Sequence, residues 1–416
     1  MLVSITIIFV AILFFLSRPK DLAGNYGAYF SQLNRLLQNE GCGYPRLILD
    51  MDRLKHNLGL LSTFKKTKKI RLVCKSLPSI PLLKFCMEEL GTDLLMVFHV
   101  PFLKQVITAF PSANILMGKP VPTNAVRHFC KSMGETSRVK NVTWLVDSIA
   151  RAKQLNNLGE LLGFPLCVAV EVDVGLHRGG LDSSSKFCLL IGYLKNAEHL
   201  MMSGLMGYDP HLAKIGLSRL QHFYFEKSKA AYRSFIDDLY QTWPDLKNEE
   251  LIFNGAGSPT FLMHADDSPL TEVAVGSAIV KPADFELPHL CKYLPAALIA
   301  TPVLKKEQGP KVPLLEPLSR LWCFWNRNRS FNFFIYGGYW KARPIAPPGL
   351  CYNKIYGRSS NQELMTGSKQ VELGVDDYIF LHPTQSESVL LQFGSILLFE
   401  AGYLSGEWPV LTGDMS

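Results

Sequence analysis

The sequence predicts an α/β protein in which a TIM-like (β/α)8 barrel is followed by a C-terminal antiparallel β domain. From residue 69 onward, an apolar strand and an amphipathic helix alternate eight times within about 215 residues, as a closed parallel barrel requires. The first turn lacks the glycine fingerprint that is typical of open doubly wound sheets. From residue 287, short alternating runs separated by Gly and Pro replace the helical periodicity, which indicates antiparallel strands.

The predicted barrel strands cover residues 70–74, 93–98, 114–117, 143–146, 166–172, 201–207, 250–253 and 272–279. A strand at 46–50 precedes the barrel, and we expect it to join the terminal β domain. The predicted organisation is therefore a hydrophobic N-terminal segment at 1–17, a barrel at 45–286 and a β domain at 287–416.

The composition indicates a globular protein with a large core, because 48% of the 416 residues are hydrophobic and 19% are charged. The net charge of +7 comes from cations spread along the chain. The one basic run, 65–69, ends a predicted helix, where cations favour the helix dipole, so no nucleic-acid partner is predicted. Nine cysteines without a CxxC pair indicate reduced thiols and a cytoplasmic protein.

Residues 2–16 are apolar apart from Ser4 and Thr6, and Arg18 and Lys20 follow them. The segment lacks the basic start and the cleavage pattern of a secretory signal, and it is short for a span of ~20 residues. Because the positive charges lie on its C-terminal side, it predicts a membrane anchor that keeps the protein on the cytoplasmic face. A peripheral segment is the alternative.

Chemistry in a barrel collects where the parallel strands end. Polar residues or glycines stand at all eight predicted ends: Lys75, His99, Lys119, Asp147, the stretch 173–178, Tyr208 with Asp209, the turn 254–258, and Gly276 with Ser277. Lys75 is the distinctive one, because a lysine held at a barrel mouth can lose its proton and attack a carbonyl to form a Schiff base. An ordinary surface lysine is the alternative for Lys75 alone.

A glycine-rich turn, Asn254-Gly-Ala-Gly-Ser258, follows the seventh strand, and Gly276 ends the eighth. Loops at these two places often bind phosphate through backbone N–H groups, and glycine lets the backbone come close. A Gly-x-Gly turn by itself is more often only a tight turn. Pyridoxal phosphate, a phosphorylated aldehyde, would satisfy both this turn and Lys75.

Four segments together resemble the fold-type III pyridoxal-phosphate enzymes: Lys75, residues 171–180 with the motif Asp-Val-Gly-x-x-Arg-x-Gly, residues 204–208, and the turn 254–258. The resemblance extends over roughly residues 40 to 415 and is strongest to the D-threonine aldolase and D-serine dehydratase branch, with alanine racemase more distant. It implies a Schiff base at Lys75, Arg178 near the phenolic oxygen of the cofactor and Tyr208 beside its ring. It also implies a phosphate held by Asn254, Gly255, Ala256, Gly257 and Ser258. An ion pair of Arg178 with Glu171 or Asp173 is the alternative.

The terminal domain departs from the resembling enzymes at their metal pair, which is His-x-Cys or His-x-Asp. Here the corresponding positions hold Gln385 and Glu387, and His382 precedes them. Because glutamine is a poor zinc ligand, the sequence argues against a tightly bound zinc and leaves a divalent metal unassigned. Gln385 and Glu387 are instead predicted to meet the substrate as hydrogen-bond donor and base, with solvent-facing loop residues as the alternative.

The resemblance implies a pyridoxal-phosphate-dependent lyase that cleaves a D-3-hydroxy amino acid by retro-aldol reaction or β-elimination, in a homodimer. An amino-acid racemase is the first alternative, and it needs a second acid/base on the opposite face of the cofactor. The candidates for that role are tyrosines of the terminal domain: Tyr336, Tyr339, Tyr352 and Tyr356. A non-catalytic cofactor-binding protein is the second alternative.

Overall fold

The computed structural model describes residues 16–134, 139–309 and 323–413. It divides into two compact units. Of the described residues, the barrel unit holds those within Arg53–Leu294 and from Trp408 onward, and the β unit holds those up to Asp52 and within Pro295–Glu407. The predicted anchor at 2–16 lies, except for Leu16, outside the described residues and stays a prediction. Within the described ranges, no helix combines the length and the apolar character that crossing a membrane requires.

The barrel unit holds a closed barrel of eight parallel strands, which confirms the predicted fold class. Strand β1 (Arg46–Asp50) belongs to the β unit. The barrel strands are β2 (Lys69–Val73), β3 (Leu94–Val97), β4 (Asn114–Met117), β5 (Val142–Val146), β6 (Leu166–Val172), β7 (Leu200–Gly207), β8 (Ile252–Gly255) and β9 (Glu272–Val275). The last strand is shorter than the predicted 272–279, because the Ser258 hydroxyl accepts the N–H groups of Gly276 and Ala278 and turns the chain into a helix there.

Helices alternate with the barrel strands, and their ends follow from the sequence. The helices are α1 (Ala28–Glu40, in the β unit), α2 (Met51–Phe64), α3 (Ile80–Leu90), α4 (Val100–Ala109), α5 (Thr123–Met133), α6 (Ile149–Leu162), α7 (Ser184–Lys195), α8 (Ser218–Thr242) and α9 (Ser277–Val280). Helix α6 shows the pattern: the Ser148 hydroxyl accepts the Arg151 N–H at its start, and Gly163 ends it in the left-handed conformation.

The barrel interior is packed in layers. Seven of the eight strands contribute one residue to an apolar layer made of Val73, Met96, Leu116, Leu145, Ala169, Met206 and Ala274. Two residues earlier on their strands, Arg71 and Glu272 form a buried ion pair with N–O distances of 2.5 and 2.9 Å. Arg71 also donates to the carbonyl oxygens of Leu95 and Asn114, and Asn254 donates to Glu272. A filled interior leaves the C-terminal mouth as the place for a site.

The β unit is built on a nine-stranded sheet. Its remaining strands are β10 (Ala297–Gln308), β11 (Phe331–Tyr336), β12 (Ala342–Ala346), β13 (Cys351–Tyr352), β14 (Gln362–Gly367), β15 (Tyr378–Pro383), β16 (Ser395–Glu400) and β17 (Tyr403–Pro409). Strand β1 lies between β10 and β16, antiparallel to the first and parallel to the second, so the sheet is mixed. Helix α1 covers one face by packing Leu33 and Leu37 around Phe380.

Candidate active site

One ring of residues lies at the mouth of the barrel, directly above the apolar layer. Because alternate residues of a strand face the same side, the residue two positions after each member of the layer also faces inward. Glu171 follows this rule within β6, and the rule extended just past the ends of the other strands predicts the same orientation for six further residues. The seven are called the mouth ring below: Lys75, Phe98, Gly118, Asp147, Glu171, Tyr208 and Gly276. Two contacts agree with it: the Lys75 ammonium lies 4.4 Å from the centroid of the Phe98 ring, and a Cβ on Gly118 would collide with that ring.

Lys75 is fixed by a short 3₁₀ turn, Cys74–Ser76, that follows β2. The Leu77 N–H closes the turn on the Cys74 carbonyl oxygen. The neighbouring Ser76 is buried, and its hydroxyl lies 3.0 Å from the hydroxyl of Ser277 at the end of β9. The turn therefore holds the lysine at the barrel mouth, between the tips of β3 and β9.

The glycine-rich turn after β8 lies against Tyr208. Ala256 adopts a left-handed backbone with φ of 60°, a conformation that costs energy for a residue with a side chain and that is often found at functional sites. A Cβ on Gly257 would lie 2.7 Å from Cε2 of Tyr208, and one on Gly276 would lie 2.8 Å from Cβ of Val73. Both positions therefore require glycine, and both bring bare backbone to the mouth.

Ser258 ties the turns after β8 and β9 together. Its hydroxyl accepts hydrogen bonds from the backbone N–H groups of Gly276, at 3.2 Å, and Ala278, at 2.9 Å. This contact holds the turns after β8 and β9 side by side, at the place where many barrels bind phosphate. The Asn254 side chain lies deeper, on Glu272, and within the described chain its buried Oδ1 has no hydrogen-bond partner.

Arg178 lies on an ordered loop and stacks on Tyr208, with its Cζ 5.0 Å from the ring centroid. Burial acts to raise the pKa of Asp173, but hydrogen bonds from the N–H groups of His177 and Gly175 outweigh burial and lower that pKa. The ionised Asp173 carboxylate therefore orders the loop. Within the described residues, Arg178 forms no ion pair, so its guanidinium fork is available at the mouth.

Two carboxyl groups stand on adjacent strands of the mouth ring. Burial raises the pKa of Glu171, and the negative charge of Asp147 raises it further, while Arg178 lowers it. In the sequence, Glu171 is the first residue of the stretch 171–180 and an alternative ion-pair partner for Arg178. The signal that identifies its position is the spacing of two residues from Ala169, which has meaning only once the apolar layer is known.

A buried hydrogen-bond chain behind the glycine turn was missed by the sequence analysis. Asp209 accepts a bond of 2.6 Å from the Thr260 hydroxyl and lies 2.8 Å from Nε2 of His264. His264 in turn lies 2.8 Å from the Ser268 hydroxyl, and the Thr260 N–H donates to the Gly257 carbonyl oxygen. The chain therefore supports the glycine turn from below. No local sequence pattern predicts this chain, because Thr260 and His264 lie 51 and 55 residues from Asp209 in the sequence.

Gln385 and Glu387 lie in the β unit, in the loop after β15, and both are half-buried. The loop is fixed at Thr384, whose N–H donates to the Lys341 carbonyl oxygen at 2.7 Å. His382 is buried within β15. Among the residues that the structure describes, no three His, Cys, Asp or Glu side chains are grouped so that they could hold a metal ion. The metal therefore stays unassigned.

Tyr339 differs from the other three tyrosine candidates of the β unit. It is 64% exposed and has a left-handed backbone with φ of 58°. Its N–H donates at 2.9 Å to the buried carboxylate of Glu363, which also pairs with Arg358. The Tyr352 hydroxyl is bonded to the Ala342 carbonyl oxygen, and burial raises its pKa. Tyr336 and Tyr356 are less exposed than Tyr339.

A family model described as alanine racemase, N-terminal domain, matches residues 49–283 of this chain. That range covers more than half of the sequence and nearly all of the barrel unit. A search of curated protein sequences found no match.

Solved structures resemble the fold over most of their length. D-threonine aldolase from Filomicrobium marinum superposes with a TM-score of 0.71 at 18% identity, covering 89% of this chain and 97% of the aldolase. D-threo-3-hydroxyaspartate dehydratase from Delftia sp. HT23 gives 0.67 at 14% identity, covering 89% and 98%. Alanine racemase from Clostridium difficile 630 gives 0.64 at 16% identity, covering 88% and 98%. At identities this low, the superpositions establish the fold alone.

Proposed function

This chain belongs to the alanine racemase N-terminal domain family, and we propose that it is a pyridoxal-phosphate-dependent lyase acting on a D-3-hydroxy amino acid. The enzymes of this fold-type III family use pyridoxal phosphate. The observation that carries the proposal is the placement of Lys75 in the mouth ring, beside two turns whose glycines expose backbone. The reaction is retro-aldol cleavage or β-elimination, as the likeness to both an aldolase and a dehydratase supports.

The residues at the mouth fit the chemistry of this cofactor. Lys75 offers an amine for its aldehyde, and Gly257 and Gly276 leave the turns after β8 and β9 without the Cβ atoms that would crowd a phosphate there. Arg178 offers a charged fork for its phenolic oxygen, and Tyr208 offers an aromatic face. When bound, the cofactor supplies an electron sink for charge that develops at the substrate Cα.

Side chains of the protein would transfer the protons at the substrate Cα and at its β-hydroxyl. The Lys75 amine at the barrel mouth would take or return a proton at the substrate Cα. In retro-aldol cleavage the β-hydroxyl loses its proton as the aldehyde forms, and we propose Glu387 as the base at that oxygen, with Gln385 as a hydrogen-bond donor. In β-elimination the departing hydroxyl needs a proton instead, and the Glu387 carboxyl in its protonated form would supply it. We expect Glu387→Gln to lower kcat by about 10²–10⁴-fold, because a positioned base contributes that much. Unchanged kcat in this variant would exclude Glu387 from the reaction.

The cofactor assignment is tested by reconstituting the purified protein with pyridoxal phosphate and recording its visible absorption band. We expect Lys75→Ala to abolish the band. The matched control is Lys119→Ala, which removes an exposed lysine from the neighbouring region of the mouth and should leave the band intact. A wild-type protein without the band, or a Lys75→Ala protein that keeps it, would refute the proposal.

A racemase is the second candidate function, and the exposed, conformationally strained Tyr339 favours it as the source of a second acid/base. Release of aldehyde or ammonia from D-3-hydroxy amino acids identifies a lyase. Loss of the α-deuterium with inversion and without cleavage identifies a racemase. The same panel with and without a chelator tests the need for a metal. The homodimer, the cytoplasmic location and the anchor at 2–16 are proposals from the sequence alone.

A further inference from the structure

The mouth ring has two halves if the proposed function holds. The turns proposed for phosphate follow β8 and β9, and Lys75 follows β2, which pairs with β9. The cofactor would therefore occupy that side of the mouth, next to Tyr208 on β7. The ring positions that remain belong to the consecutive strands β3 to β6. These four residues, Phe98, Gly118, Asp147 and Glu171, are called the open half below.

The open half combines an apolar wall with two carboxyl groups. The Phe98 ring fills the space beside Gly118 and lies under the Lys75 ammonium. Asp147 accepts a hydrogen bond of 3.2 Å from Ser148. The Glu171 carboxylate has neither a hydrogen-bond partner nor an ion-pair partner within the described ranges, although its backbone carbonyl oxygen accepts the Leu181 N–H. The negative charge of Asp147 is close enough to raise the pKa of Glu171, so the open half carries negative charge on the side of β5 and β6.

The cations nearest to the open half offset that charge only in part, with Arg178 acting to lower the pKa of Glu171. Arg178 stacks on Tyr208, and under the proposed function it serves the phenolic oxygen of the cofactor. Lys119 and His99 each come one residue after a member of the mouth ring, so their side chains are expected to point away from the mouth. Both are exposed. Burial and then the charge of Lys119 lower the pKa of His99, which therefore adds no positive charge at neutral pH.

We infer that Asp147 and Glu171 determine the class of substrate side chain, by repelling a carboxylate and accepting an uncharged or cationic group. This inference rests on the proposed function and narrows its substrate. The physical reason is that like charges brought together in a partly dehydrated site weaken binding, whereas an isosteric neutral group escapes that cost. The chain would thus differ in specificity from the structurally similar D-threo-3-hydroxyaspartate dehydratase, whose named substrate carries a second carboxylate.

The test uses D-aspartate and D-asparagine, which have nearly the same shape and differ in side-chain charge. Their dissociation constants are measured on the holoenzyme from the change that each causes in the visible band. We expect D-asparagine to bind at least about tenfold more tightly than D-aspartate. Asp147→Asn and Glu171→Gln should each reduce this ratio, and the double variant should bring it close to one. The matched control is Asp182→Asn, whose exposed carboxylate pairs with Lys186 and should leave the ratio unchanged.

The results separate this inference from the proposed function. A holoenzyme that has the band but binds the two ligands equally, or prefers D-aspartate, overturns the inference and leaves the cofactor assignment standing. The inference also fails if both single variants keep their band and retain the wild-type ratio. Absence of the band in the wild-type protein removes the proposed function and the inference together.

Discussion

The two halves of the barrel mouth are built by different kinds of contact. On the side of β8, β9 and β2, backbone and hydroxyl groups fix the turns to one another, as the bonds from Gly276 and Ala278 to the Ser258 hydroxyl show. On the side of β3 to β6, side chains make the surface, and the Phe98 ring simply occupies the space that Gly118 leaves. Backbone hydrogen bonds hold the turns of the first half in one conformation, whereas substitution of a side chain can change the shape of the second half. The first half therefore suits an invariant group and the second a variable one.

The largest loss of stability is expected from a change at Arg71, which lies below the mouth and connects strands from both halves. It pairs with Glu272 on β9 and donates to carbonyl oxygens on β3 and β4. We expect Arg71→Met to destabilise the protein by about 3–5 kcal/mol, because a buried carboxylate loses its partner. The midpoint of chemical unfolding measures the loss.

The matched control for this change is Lys69→Met, which removes the exposed pair between Lys69 and Glu250 at the same end of β2. Water screens that pair, so no measurable change in the unfolding midpoint is expected. An equal loss in both variants would mean that the buried pair does not support the two halves of the mouth.

A smaller effect should distinguish the two halves directly, because each has one glycine at a ring position. In Gly276→Ala, the new Cβ would lie within 2.9 Å of Cβ atoms and of the Val73 carbonyl oxygen, which cannot move aside. We expect this variant to lose about 1–3 kcal/mol of stability and to bind pyridoxal phosphate more weakly. In Gly118→Ala the clash is with the far end of the Phe98 ring, which can rotate, so the cost should stay under about 1 kcal/mol.

Unfolding midpoints and cofactor titrations of these two variants measure the difference. Equal losses, or a larger loss for Gly118→Ala, would contradict a rigid phosphate side and an adjustable open half. A Gly276→Ala protein with normal cofactor affinity would contradict the placement of the phosphate.

The smallest effect concerns Glu171 and its dependence on pH. Burial and then Asp147 raise the pKa of Glu171, so ionising this group costs the folded state more than the unfolded chain. Stability is therefore lost as the pH rises from the ordinary glutamate range through the raised pKa. Glu171→Gln should remove this loss, adding less than about 1 kcal/mol near pH 7 after solvent screening, and nothing near pH 4.

Unfolding midpoints of the wild type and Glu171→Gln at the two pH values check the sign. Asp182→Asn is the control, because the pKa of that exposed carboxyl is lowered by its hydrogen bond to Lys186 and not raised. A gain from Glu171→Gln that is larger at the acidic pH would show that the Glu171 carboxylate is stabilised, not strained, in the open half.

Much of the architecture could be read from the chain. The alternation of apolar strands and amphipathic helices is visible in short stretches of sequence. It therefore predicted eight parallel strands within a few residues of their observed bounds. The error at the eighth strand has a physical cause: Ser258, far away in sequence, caps the chain at Gly276. The bond from the Asn254 side chain to Glu272 likewise joins residues 18 positions apart on two strands. Long-range hydrogen bonds of this kind leave no periodic signal.

The sequence by itself determined that a barrel forms, that a lysine stands at the end of its first strand and that glycines follow its last two strands. Each of these depends on residue type and on spacing within one element. Only the tertiary structure decided which side chains share the mouth with that lysine, because closure of the barrel brings eight strand ends from about 200 residues into one ring. Asp147 and Glu171 share this mouth because β5 and β6 pair side by side within the barrel.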